Sequence, residues 1–194
     1  MNRIYDIFLS IFMIVALSPL MALIYILILL SGRKAIFKHS RVGKYGKKFQ
    51  CFKFTSMIDE NDLNENDLKR VIEEKRISGK VHNDPRITKI GGFIRRTSLD
   101  EIPQLFNVLI GDMSIVGPRP ITEDEIKEYG WRVSSYLSIK PGLTGLWQVS
   151  GRSNTNYRRR VAIDHYYANH ISKKIKLFIL LKTIYVVIKM EGAT

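Results

Sequence analysis

The chain has 194 residues, enough for one domain with its own core and a small appendage. It holds 31 Lys and Arg against 18 Asp and Glu, a net charge of +13, which points to an anionic membrane surface, a phosphate-bearing substrate or nucleic acid as partner. The single Cys51 excludes an internal disulfide, the four histidines (39, 82, 165 and 170) lack zinc-ligand spacing, and no P-loop, Gly-x-Gly-x-x-Gly or Asp-x-Asp sequence is present.

The charge is unevenly placed. Residues 1–53 carry a net of +8, residues 54–129 a net of −4 and residues 130–194 a net of +9. Within the first block, Ile7 to Leu30 is an uncharged run of 24 residues. As a helix it would be roughly 36 Å long, against about 30 Å for a bilayer's hydrocarbon core. It is longer than a signal-peptide core and no small-residue cleavage site follows it, so the mature protein is expected to keep it. Ser18-Pro19 near its middle predicts a bend, because proline removes a backbone donor and clashes with the preceding turn. From physics alone this is a kinked spanning helix or one that breaks and returns to the same face. In the second case Ser18 is placed to bond a carbonyl that the proline frees. The basic stretch from Arg33 to Lys53, free of acids, places that flank in the cytoplasm. The N-terminal flank, with Arg3 set against Asp6, leaves its own side open.

Phe49 to Met57 reads as a strand, and Asp59 to Ser78 as a polar helix or excursion with apolar residues at helical spacing. Asn83-Asp84-Pro85 is a turn, and Ile87 to Arg96 a short helix or turn. Ser98-Leu99-Asp100-Glu101 has the pattern of a capping box, followed by an apolar run to Leu109 and a stop at Gly111. Ser114 to Val116 is a short strand, Glu123 to Tyr129 a helix, Lys140 to Gly145 a loop, and Leu146 to Val149 a strand. Residues 156–169 and 173–190 are helical; the last is a core helix or an interfacial one with lysines on anionic lipid. These mixed short elements give an α+β, or irregular α/β, fold class.

Two constellations could carry chemistry. Asp100 and Glu101 stand at a predicted helix start beside Arg95 and Arg96. First-turn acids are ordinary caps, but Pro103 sits where a regular helix needs its donor, and the setting suits phosphate with a divalent metal. In Gly117-Pro118-Arg119-Pro120 two prolines fix the backbone around an arginine fork suited to phosphate oxygens, although a surface turn has the same pattern. Arg152 and the run Arg158-Arg159-Arg160 are weaker signals; a solvated basic face explains the run.

The stretch Arg95-Arg96-Thr97-Ser98-Leu99-Asp100-Glu101-Ile102-Pro103-Gln104 through Asn107, Gly111-Asp112-Met113-Ser114 and Gly117-Pro118-Arg119-Pro120 closely resembles the signature of the bacterial sugar transferases, the monotopic polyprenyl-phosphate phosphoglycosyl transferases. The likeness extends to Asp84-Pro85-Arg86, to Pro141-Gly142 and on through Gln148 to Gly151-Arg152, and to Asp164 with Tyr167, nearly the whole chain. The resemblance is to the small, catalytic-unit-only members. It implies a re-entrant membrane helix over residues 1–32, broken at Ser18-Pro19, and a catalytic domain over 33–194 on the cytoplasmic face of the bacterial inner membrane. A C-terminal interfacial helix at about 173–190 completes that expectation.

The resemblance further implies Asp100 as nucleophile, Glu101 as its partner, and Mg²⁺ held by the pair. Arg95 and Arg119 then belong to the active site, with Lys53 and Arg152 as further phosphate-binding residues. The implied partners are a UDP-sugar, undecaprenyl phosphate, membrane lipid and downstream membrane glycosyltransferases, with a homodimer as an option and no nucleic acid. The reaction so implied begins surface polysaccharide or glycoconjugate assembly through a sugar-phosphoryl aspartate. One position departs from the family: Lys53-Phe54-Thr55-Ser56-Met57 has Thr55 where a basic residue is usual, leaving a phosphate contact to Lys53 or a neighbour. The alternative readings are a membrane-anchored basic protein that binds lipid or nucleic acid without catalysis, and a metal-dependent hydrolase of lipid diphosphates.

Overall fold

The computed structural model describes residues 3–78, 81–151 and 155–189. Its first element, α1 (Arg3–Leu30), continues as helix through Pro19. The carbonyl four residues before that proline belongs to Val15, and the Ser18 hydroxyl donates to it at 2.8 Å. The serine thus supplies a donor where the proline has none. Most of α1 is apolar and exposed, and among the described residues it is the one helix long and apolar enough to cross a membrane.

Both halves of α1 nevertheless rest on the globular part. Near its start, the buried Asp6 carboxylate accepts from the Ser114 hydroxyl at 2.9 Å and the Ile115 amide at 3.1 Å. The Arg3 guanidinium donates to the carbonyls of Val108 and Leu109, which lie at a helix end where carbonyls lack intrahelical donors. Arg3 and Asp6 are therefore docking groups with separate partners as well as a flanking pair. Near its end, Ile24 and Ile28 pack with Ala35, Phe54 and Ile94.

After α1 the chain forms an antiparallel hairpin, β1 (Ile36–Val42) with β2 (Lys48–Phe54), in which His39 faces Cys51 and Val42 faces Lys48. β2 is legible in the sequence and β1 is not, because the apolar residues of β1 do not alternate; its ladder with β2 decides its state. The polar segment forms α2 (Glu65–Ser78), held through Glu60, which pairs with Lys75 and, at 2.6 Å, with Arg86. Next come α3 (Lys89–Arg96), capped by Thr88, and α4 (Gln104–Ile110).

Two short strands, β3 (Ser114–Val116) and β4 (Gly142–Thr144), pair in parallel across α5 (Glu123–Tyr129) and α6 (Val133–Leu137). Residues 142–144, expected as loop, are strand because they complete this pair. A Cβ on Gly142 would lie 2.0 Å from the Gly117 nitrogen, so glycine is required for the two segments to meet. Leu146–Val149, expected as a strand, is the helical turn α7. Its buried Trp147 and Val149 alternate with less buried neighbours as in a strand, and four residues are too few for periodicity to separate the two.

The chain ends with α8 (Tyr157–Asn169) and α9 (Lys173–Ile188). The central core joins Cys51 of β2, Leu105 and Val108 of α4, Ile115 and Val116 of β3, Tyr167 and Ile179. One face of α9 is buried, with Ile179 in that core and Val186 further along, while Leu177, Phe178, Leu181, Ile184 and Ile188 are exposed. The helix is thus a core element on one side and an uncovered apolar surface on the other. The α+β class holds, with two small sheets among helices.

Candidate functional site

Asp100 and Glu101 do not begin a capped helix. Ser98 adopts a left-handed conformation (φ 59°) and its side chain makes no cap bond. Leu99–Glu101 forms one 3-10 turn, and α4 starts at Gln104 with Pro103 in the cap position. A proline before the first helical residue forfeits no helix bond, so its position agrees with the observed boundary. The turn leaves the Glu101 carboxylate to other partners than the Ser98 amide.

Those partners are cations from two other segments. Lys53 Nζ donates to Glu101 Oε1 at 2.8 Å and lies 3.7 Å from Asp100 Oδ2. Arg119 reaches the same Glu101 oxygen at 3.0 Å. Lys53 is positioned by β2, whose placement depends on Asn107 of α4. This fully buried amide accepts from the Phe52 nitrogen at 2.9 Å and donates to the Gln50 carbonyl at 2.7 Å, taking the free backbone groups of the strand. Arg119 is positioned by its loop: Gly117 N donates to Thr144 O at 2.9 Å and Gly142 N to Pro118 O at 2.8 Å. Arg41 adds to that support, donating to the Pro120 carbonyl and pairing with Glu125, both at 3.3 Å.

Electrostatics separate the two acids. Burial raises the Asp100 carboxyl, and the Glu101 charge adds to this against Lys53, Arg119 and Arg95. Burial pushes Glu101 upward too, but the charges of Arg119 and Lys53 and their hydrogen bonds overcome it and hold Glu101 well below the usual carboxylate range. One carboxylate is thus firmly ionised, with Lys53 and Arg119 both on its Oε1. The other is close to its neighbour and less well compensated, with Lys53 at 3.7 Å as its ion-pair partner. Oppositely displaced neighbouring acids of this kind are a frequent property of catalytic sites.

The predicted residues divide clearly. Asp100, Glu101, Lys53 and Arg119 form one cluster. Arg95, near the end of α3, reaches the Met57 sulfur at 3.5 Å and acts on Asp100 through its charge. Arg152 lies outside the described residues. Thr55 faces away, donating through its hydroxyl to the Lys34 carbonyl at 2.6 Å. Arg41, Gln104 and Gln148 line the small polar pocket around Lys53, Glu101 and Arg119; the two glutamines stand within the motif stretches, but nothing in spacing alone marked Arg41.

Among the described residues no group of three or more His, Cys, Asp or Glu side chains converges. A divalent cation here would take its protein ligands from Asp100 and Glu101, with water and substrate phosphates completing the shell. Mg²⁺ is usually held in that way, so the donor set fits it.

The acidic pair, the arginine between prolines and the long apolar helix all lie within residues 1–190, which match the bacterial sugar transferase family, and the chain belongs to that family. The chain is 47% identical over 199 residues to the undecaprenyl-phosphate galactose phosphotransferase of Salmonella typhimurium, covering 100% of this chain and 41% of that protein. It is 41% identical to the exopolysaccharide production protein ExoY of Sinorhizobium fredii, covering 99% of this chain and 87% of that one. The UDP-glucose:undecaprenyl-phosphate glucose-1-phosphate transferase of Escherichia coli is 36% identical, with 95% of this chain and 39% of that protein covered. The chain thus spans about two fifths of the length of several curated relatives and most of the length of others.

Proposed function

We propose that the chain is a phosphoglycosyl transferase that moves a sugar 1-phosphate from a UDP-sugar to undecaprenyl phosphate and releases UMP. The carrying observation is the pairing of a Glu101 held at one oxygen by two cations with an adjacent, less compensated Asp100 on one turn, inside a family with relatives named for transfer to undecaprenyl phosphate. The Asp100 carboxylate attacks the sugar-proximal phosphorus, and the bond to UMP breaks with its electrons leaving on UMP. A sugar-phosphoryl aspartate remains, as carboxylate nucleophiles form in other phosphoryl transfers. A phosphate oxygen of undecaprenyl phosphate then attacks the same phosphorus and restores the carboxylate. Each half breaks one phosphoryl bond and makes another.

Lys53 and Arg119 hold Glu101 in place, and Arg119, 37% exposed in its side chain, keeps donors for a substrate phosphate. When bound by Asp100 and Glu101, Mg²⁺ would offset the charge of the donor diphosphate. Arg95 adds positive charge at the same side of Asp100.

The same reading puts residues 1–32 in the bacterial inner membrane as a re-entrant element centred on Ser18-Pro19, in which α1 stays helical through the proline and does not break as the sequence led one to expect, with residues 33–194 on the cytoplasmic face. Its support is that both halves of α1 rest on one globular body, through Arg3 and Asp6 at one end and Ile24 and Ile28 at the other. A straight crossing would carry one end away from that body. The exposed apolar face of α9 would lie in the interface of the same leaflet.

The test is UMP release by the detergent-purified full chain with Mg²⁺, undecaprenyl phosphate and a panel of UDP-sugars, alongside Asp100→Asn. Lipid-dependent UMP from one or two sugars, lost in the variant, is the expected result. An Asp100→Asn protein that still forms product would refute the nucleophile assignment.

A further inference from the structure

The polar pocket at Lys53 and Glu101 has an apolar counterpart on the other side of the same strand. In a strand, side chains alternate between faces, and β2 uses both. Cys51 and Lys53 line the polar pocket, whereas Phe52 and Phe54 line an apolar groove of about 590 Å³. The chain around α4 divides in the same way: Glu101 and Gln104 face the polar pocket, and Pro103, Phe106 and Ile110 line the groove. The remaining walls are the second half of α1, through Met21, Ala22 and Tyr25, and β1, through Ile36 and Lys38. One strand and one turn therefore separate a pocket of fixed charges from a groove walled by the apolar membrane helix.

Among the described residues Lys38 is the one charged side chain that lines the groove, with its ammonium 5.7 Å from the Phe52 ring centroid. The ammonium lies over the ring face as a loose cation–π pair and is a positive charge at the apolar wall that an anion can approach. A nucleotide sugar has no use for such a groove. An amphiphile with an anionic phosphate and a long hydrocarbon tail uses both compartments together.

We propose that this groove holds the isoprene units of the lipid acceptor nearest its phosphate, guiding that phosphate past Pro103 to Asp100. This rests on the transferase reading above and adds to it a tail-binding site that makes acceptor recognition more than headgroup chemistry. The volume is within the range of small-ligand sites, about 300–1,000 Å³, so it takes only the first part of a long chain; the rest remains among the lipids beside α1. The occupant is the polyprenyl phosphate and not a bilayer phospholipid, because a groove bordering the catalytic turn would be blocked by any tail that is not the acceptor's.

Two measurements test this on the full-length protein. In the first, a phosphate ester of a two-isoprene alcohol carrying a benzophenone is photo-crosslinked to wild-type protein in detergent, with undecaprenyl phosphate or phosphatidic acid as competitor. Crosslinks on peptides containing Met21 to Tyr25 or Phe106 to Ile110, removed by undecaprenyl phosphate and not by phosphatidic acid, are expected. Crosslinks confined to other segments, or competed equally by phosphatidic acid, would overturn the proposal.

In the second, Ala22→Phe narrows the groove and Phe106→Ser removes apolar area from it. Both are expected to raise the KM for undecaprenyl phosphate about tenfold, the loss of roughly two buried methylenes, with the KM for the UDP-sugar unmoved. An unchanged acceptor KM in both variants, or equal changes in both KM values, refutes the groove. If wild-type protein releases no UMP with any sugar, the transferase reading fails, while the crosslink map still decides whether the groove takes a polyprenyl phosphate.

Discussion

Removal of Lys53 is the sharpest probe of how the acidic pair works. Lys53→Met keeps the length and apolar stem of the side chain but removes the charge that lies 2.8 Å from Glu101 and 3.7 Å from Asp100. At an effective dielectric of about 20, a charge pair 3.7 Å apart interacts by roughly 4.5 kcal/mol. Lys53 is 20% exposed and Asp100 13%, so solvent screening leaves about 2–3 kcal/mol of that. Burial and the Glu101 charge already raise Asp100, and Lys53 opposes them. Without it Asp100 is raised further and is less ionised at any given acidic pH.

If all of that energy reaches the transition state, kcat/KM for UMP release falls about 30- to 150-fold. The loss should be greatest at low pH and recover as pH rises, since the nucleophile must be ionised. The assay is the pH profile of kcat/KM for wild type, Lys53→Met and Lys53→Arg, the arginine variant restoring most of the acid limb. An acid limb in the same place and a kcat/KM within threefold of wild type in Lys53→Met would show that Lys53 does not hold the pair ionised.

Two predictions concern the frame around the site. Asn107→Ala leaves the Phe52 N–H and the Gln50 carbonyl without their side-chain partner, which should cost about 2–4 kcal/mol of stability and lower the melting temperature in detergent; a shift within error would mean that the strand finds other partners. Asp164, 1% exposed and bonded by the Tyr129 hydroxyl at 2.9 Å, has its carboxyl pushed up to about 7 by burial. Its native state holds a proton that the unfolded chain releases near pH 4. It therefore lowers stability progressively as pH rises from about 4 to 7, and Asp164→Asn should flatten the dependence of melting temperature on pH across that window; an unchanged slope would refute the assignment.

Much of the site could be read along the chain because its residues are close in sequence. Asp100 and Glu101 adjoin, the prolines around Arg119 are its immediate neighbours, and Ser18 acts on a carbonyl three residues away. Lys53 was singled out by its motif, and the fold puts it between the two carboxylates. Local pattern misled where two structures satisfy the same few residues: the capping-box spelling at Ser98 forms a left-handed residue and a 3-10 turn, and Leu146–Val149 coils where its alternation suggested a strand. Neither outcome contradicts the residue types; tertiary contacts chose between them.

Sequence by itself determined the long apolar helix, the mixed fold class and the adjacency of Asp100 and Glu101, since these depend on composition, short-range pattern and neighbouring residues. Only the tertiary structure decided that Asn107 pins β2, that Arg41 supports the arginine loop, and that Arg3 and Asp6 tie the apolar helix to the globular part. Each of those contacts joins residues more than 50 positions apart. Their partners are backbone groups that every residue carries, so no side-chain pattern could announce them. The division of β2 into a charged face and an apolar face became visible in the same way, once α1 and α4 had closed one side of it.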